Sequence, residues 1–169
     1  MKRTAFISLF ILTMVVAGFG QKAAVAKVDA SKGVRDAFDR LIEGIKQVDA
    51  DKVMAAYNKS PDLLIHNNNG TSTRGWDTIK SNVEATFSHV KNVTLETTGV
   101  KVQMLGKTAA YVSCKWQQTQ EYDGKLEDSS GRMTLVFQLI GKEWKIIHRH
   151  TSPDNPGTTR PVFPSERQN

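Results

Sequence analysis

The last regular stretch of the chain reads Trp144-Lys145-Ile146-Ile147-His148-Arg149-His150 and carries two of the four histidines. With the strand period of two, His148 and His150 share a face with Trp144 and Ile146. Lys145, Ile147, Arg149 and Thr151 take the other face, which suits solvent or a subunit contact. Two imidazoles on one strand face can bind a metal or move protons near neutral pH. The plainer alternative is a pair of hydrogen-bonded histidines that hold the strand in place. A third metal ligand would have to be His66, and no carboxylate stands at a suitable spacing, so no metal and no other cofactor is expected. The same period aligns Val112, Cys114, Trp116, Gln118, Gln120 and Tyr122, which places Trp116 and Gln118 inward with the histidines. Met133, Leu135, Phe137 and Leu139 form an apolar face, and Arg132 falls on its reverse. A bulge at Gly131 would turn Arg132 inward, where it could contact a ligand.

These residues need elements to hold them. Val34, Phe38, Leu41, Ile42, Ile45 and Val48 make one helical stripe. Asp49 is placed to cap a second, short helix, which Ser60-Pro61 ends. Leu63 to His66 is strand-like, Asn69-Gly70 is a hairpin turn, and Thr71 to Arg74 is the return strand. Trp76, Ile79, Val83, Phe87 and Val90 form a third stripe that begins near Gly75. Beyond Lys91 the period becomes two, and four strands follow over 93–103, 108–122, 127–140 and 143–152. Gly106, Gly124 and Gly141 stand in the joins, so these strands are antiparallel neighbours. Helices followed by a long meander is an α+β pattern. Long strands curl, and helices over the concave face then make a cone with an interior pocket.

The two ends read differently. Met1-Lys2-Arg3, the uncharged run Ala5–Gly20 and Ala24-Val25-Ala26 have the order of a secretory signal peptide over 1–26. The uncharged run is shorter than the roughly 20 residues a span needs, so no stable membrane span is expected. Cleavage would remove Lys2, Arg3 and Lys22, leaving 20 basic residues against 17 acidic ones where the whole chain has 23. The net charge falls from +6 to +3. The basic residues form no cluster, so no nucleic-acid partner is expected. A secreted or periplasmic location fits the lone Cys114, read as inert packing. The domain proper covers 27–152, and 153–169 is a proline-rich extended tail. There is no glycine-rich phosphate loop, no G-x-S-x-G and no H-E-x-x-H.

The order of helix, short helix, "PDLLIHNNNGTSTRGWDTI", four strands and "GKEWKIIHRHTS" resembles the nuclear transport factor 2-like superfamily, in its SnoaL-like and ketosteroid-isomerase-like branch. The last strand also resembles the association domain of calcium/calmodulin-dependent protein kinase. The pieces that carry the likeness are Gly70 with Arg74-Gly75, Gly131-Arg132-Met133-Thr134, and Trp144 to His150. The resemblance implies a conical fold, a homodimer through the sheet, and a pocket for a small apolar or aromatic ligand. It puts Tyr57 and Trp76 near the start of the pocket wall. Isomerases and cyclases of this kind use a pocket carboxylate, but here Asp62-Leu63-Leu64-Ile65-His66-Asn67 offers a histidine and asparagines instead.

The leading expectation is an exported small-molecule-binding domain, with polar contacts from His148, His150, Gln118 and Arg132 and walls from Trp76 and Trp116. The alternatives are an isomerase-, cyclase- or dehydratase-type enzyme and an assembly module. In the enzyme, His66 or His148 would act as base and Tyr57 as donor to an oxyanion, unless Tyr57 only packs its helix.

Overall fold

A computed structural model describes residues 30–154. The expected signal peptide and all but the start of the expected tail lie outside the described residues. α1 (Ala30–Lys46) buries Val34, Ala37, Phe38, Leu41 and Ile42, with Ile45 half-buried. The stripe stops there, because Val48 sits in the following turn at a φ of 54°. Gly44 makes that turn possible: a Cβ there would lie 3.0 Å from the Val53 backbone nitrogen. α2 (Ala50–Ala55) starts at Asp49, whose carboxylate accepts the Lys52 backbone N–H at 2.9 Å. That bond holds the Asp49 carboxyl below its ordinary pKa.

β1 (Leu64–His66) and β2 (Ser72–Arg74) form the short hairpin around Gly70, and α3 (Trp76–Phe87) follows. The meander is β3 (Val90–Met104), β4 (Ala109–Tyr122), β5 (Lys125–Ile140) and β6 (Glu143–Pro153). Asp123 and Gly124 both take positive φ between β4 and β5, as a two-residue type I′ turn requires. The six strands form one curved, unclosed sheet in the order β2-β1-β6-β5-β4-β3. β1 lies parallel to β6, while the other neighbours are antiparallel. The α+β architecture expected from the sequence is present, with helices against the concave face.

The core is where the α1 stripe meets that face. Phe38, Leu41, Leu135, Phe137 and Ile146 are fully buried or nearly so. Truncating a ring such as Phe137 would cost about 3–5 kcal/mol in transfer and cavity terms. Among the described residues no helix is long and apolar enough to cross a membrane.

One irregularity decides what the sheet presents. On β6, Ile146 pairs with Phe137, but His148 pairs with the very next residue, Val136. Ile147 is therefore an extra residue, a β-bulge, and the facing of every later residue inverts. Trp144 and Ile146 point into the core as expected. Beyond the bulge, Arg149 and Thr151 take the inner face, and His148 and His150 take the outer one. The parallel pairing agrees, since Arg149 stands beside buried Ile65 and His150 beside His66. β5 and β4 stay in unbroken register through Gly131, so no bulge turns Arg132 inward.

Candidate functional site

The concave face opens into a cleft of about 170 Å³ between the end of α1 and the sheet. Ile45, Leu95, Trp116 and Met133 form its apolar wall, and Asn67, Gln118, Arg149 and Thr151 supply polar groups. Period two along β4 puts Trp116 and Gln118 here, as the sequence predicts. Arg149 is the group that sequence reasoning assigned to the outside. Its guanidinium is held from two sides: Nη1 donates to the Tyr57 hydroxyl at 3.3 Å, and Nη2 to Asn67 Oδ1 at 3.0 Å.

Both holders are fixed. Tyr57 is 3% exposed. Its segment is pinned to β6, as Asn58 N–H donates to the Ile146 carbonyl and Ile146 N–H to the Ala56 carbonyl, each at 2.9 Å. Asn67 is oriented by its amide nitrogen, which donates to Thr71 Oγ1 at 3.1 Å and Thr73 Oγ1 at 3.4 Å. Tyr57 does not line the cleft itself; it stands behind Arg149, which it contacts.

Two buried donors belonging to cleft-lining residues, Trp116 Nε1 and Arg149 Nε, have no partner among the described residues. Interiors rarely leave such groups unpaired, because each costs about 1–3 kcal/mol. Gln118 Nε2 is engaged with Gln120 Oε1 at 2.7 Å.

The remaining expected site residues lie elsewhere. His66, His148 and His150 cluster on the outer face, with the His66 ring edge-on to His148 at 5.3 Å and to His150 at 5.5 Å. His148 Nδ1 meets the Leu64 carbonyl at 2.9 Å and must donate there, since a carbonyl only accepts. His66 Nδ1 bonds Ser72 Oγ at 2.7 Å. These contacts tie β1 to its neighbours, and none of the three rings reaches the cleft beside Trp116. Among the described residues no three His, Cys, Asp or Glu side chains are grouped to hold a metal ion. Arg132 is exposed on the outer face, with Asp154 at 3.9 Å. Trp76 lies between α2 and α3, its indole N–H donating to the Met54 carbonyl at 3.3 Å and the Lys59 ammonium 4.9 Å over its ring. It does not line the cleft. Cys114 is buried on the inner face of β4, and burial pushes its thiol up to about 11.

A larger groove, about 590 Å³, runs between α1, α2 and the start of β6 over Ala37, Ala55, Ala56 and Trp144. Its charged rim is largely closed on itself: Lys145 pairs with Glu143 and the Ala55 carbonyl, and Gln47 with Glu43. The concave cleft is smaller but holds the open donors.

The profile of the SnoaL-like domain matches residues 34–156. The chain belongs to the SnoaL-like family. Among solved structures this SnoaL-like domain is similar to a nuclear transport factor 2-like superfamily protein from Salmonella enterica serovar Typhimurium, with a TM-score of 0.70 and 21% identity over 79% of this chain and 97% of that one. It is also similar to a ketosteroid isomerase-like protein from Erwinia carotovora atroseptica, with a TM-score of 0.65 and 15% identity over 76% and 99%. A protein provisionally assigned as a calcium/calmodulin-dependent protein kinase II association domain, from Xanthomonas campestris, superposes with a TM-score of 0.62 and 20% identity over 74% and 87%. At these identities the likeness shows the fold. No protein of curated function matches the sequence.

Proposed function

We propose that this chain is an exported small-molecule-binding domain whose ligand occupies the concave cleft. The observation that carries the reading is the pair of unpartnered donors, Trp116 Nε1 and Arg149 Nε, beside an apolar wall. Unpartnered donors on the residues of an apolar-walled cleft suit a site that a bound molecule completes. Export is supported by the basic start, the uncharged run and Ala24-Val25-Ala26. A ligand that binds only the native state must raise its melting temperature. Thermal-shift screening of residues 27–169 against small apolar and aromatic compounds should therefore yield stabilising hits. Those hits should vanish in Gln118→Trp, which fills the cleft from β4. A screen without hits, or hits indifferent to that substitution, would sink the proposal.

An enzyme of isomerase or dehydratase type is the second reading, and the Tyr57 hydroxyl beside Arg149 favours it. Among the described residues no carboxylate or imidazole lines the cleft; the Tyr57 hydroxyl, set behind Arg149, would be the proton donor, and the arginine would hold developing negative charge. Loss of turnover in Tyr57→Phe with ligand affinity retained would establish this reading over simple binding. The same proposal includes a homodimer through the outer face of the sheet, which light scattering would refute by returning a monomer.

A further inference from the structure

We infer that the cleft takes a small organic monoanion, a carboxylate carried on an aromatic or branched apolar body, with Arg149 as the residue that reads the charge. The inference rests on the small-molecule reading of the cleft and names its ligand class.

A guanidinium has five N–H donors and keeps its charge at any ordinary pH. Tyr57 and Asn67 take one donor each, and both are neutral. Among the described residues no Asp or Glu lines the cleft and no ion pair includes Arg149. Three exposed arginines are treated differently. Arg35 faces Asp39, Arg74 faces Asp62 and Arg132 faces Asp154. Water already screens those charges, so a counter-charge matters least there. Arg149, whose Nε is buried, lacks an acid among the described residues, and an entering anion would supply one.

The number and kind of groups narrow the class. Among the described residues Arg149 is the only charged one in the cleft lining, which suits one negative charge and not a phosphate dianion. The planar fork of a guanidinium matches a carboxylate. Ile45, Leu95, Met133 and the Trp116 ring offer contact to an apolar body, and Gln118 and Thr151 are polar neighbours for a second group on it. The cleft volume of about 170 Å³ equals about six waters, which limits the ligand to a small acid.

Isothermal titration of residues 27–169 with benzoate, phenylacetate and 2-methylbutyrate, each beside its neutral amide, tests this. At least one acid should bind about tenfold or more tightly than its amide. Arg149→Met should abolish that preference, and Arg149→Lys should keep part of it. Amides that bind as well as the acids would overturn the anion inference and leave the cleft reading standing. Silence from acids and amides alike would overturn both. A preference that survives Arg149→Met would show that another group reads the charge. If Arg149→Met does not fold, the arginine Nε–H resonances of the parent serve instead. One of them should shift with benzoate along the calorimetric isotherm, and no shift would refute the role of Arg149.

Discussion

Beyond Ile147, β6 presents Arg149 and Thr151 to the concave face and His148 and His150 to the outer one. The outer face holds the residue type most often linked to catalysis, yet its rings are turned toward their own chain. His148 serves the Leu64 carbonyl, and His66 serves Ser72. The inner face holds a cation and an indole whose donors are left open. The difference teaches that a polar residue's type says less about function than whether the chain satisfies it. The histidines belong to the architecture that joins β1 to the sheet, and the arginine belongs to the site that this architecture encloses.

The floor beneath the arginine should show the largest effect. Leu135 is fully buried and pairs with Arg149, whereas its neighbour Val136 pairs with His148 on the outer face. Leu135→Ala should cost about 2–5 kcal/mol by denaturant midpoints. A loss no larger than that of Val136→Ala would mean that the two faces are packed alike. Gly131→Ala attacks the inner face alone. Its Cβ would collide with the Ser152 carbonyl and lie 3.0 Å from the Trp116 ring. Denaturant midpoints should report a loss of about 1–3 kcal/mol.

His148→Phe removes the bond to Leu64 and should cost about 0.5–1.5 kcal/mol, with binding in the cleft unchanged. Altered binding would mean that the outer cluster reaches the site. Arg149→Met should stay within about 1 kcal/mol of the parent when no ligand is present, because losing two hydrogen bonds is offset by removing a poorly solvated charge. A larger fall in the melting midpoint would recast Arg149 as a structural tie. Cys114 adds a pH dependence, since burial raises its thiol from 9.0 to about 11. The unfolded chain loses that proton first, so stability is full below pH 9 and falls as pH rises toward 11. Unfolding midpoints across that range should slope in the parent and flatten in Cys114→Ala.

The element order, the α1 stripe, the Asp49 cap and the inward Trp116 and Gln118 were legible because each follows from a local period or a local bond. The facing of His148 and Arg149 was not, because a single bulge outranks the alternation that follows it. The bulged residue is an isoleucine with no glycine or proline beside it. The one trace is the adjacent pair Ile146-Ile147, two apolar residues where period two allows one. The parallel pairing of β1 with β6 is also silent in sequence. Only that pairing sets Arg149 beside buried Ile65 and brings Asn67 within reach.

That pairing also sets the order in which the molecule can form. The Leu64 carbonyl and His148 stand 84 positions apart along the chain, and Tyr57 and Arg149 stand 92 apart. The meander closes through short local turns, whereas the β1 segment can dock only once β6 exists. The contacts that β1 makes with β6 should therefore be among the last to assemble and should be largely unformed in the folding transition state. A ligand held in the cleft should leave the refolding rate nearly untouched and lengthen the lifetime of the folded domain, acting almost wholly on the unfolding limb.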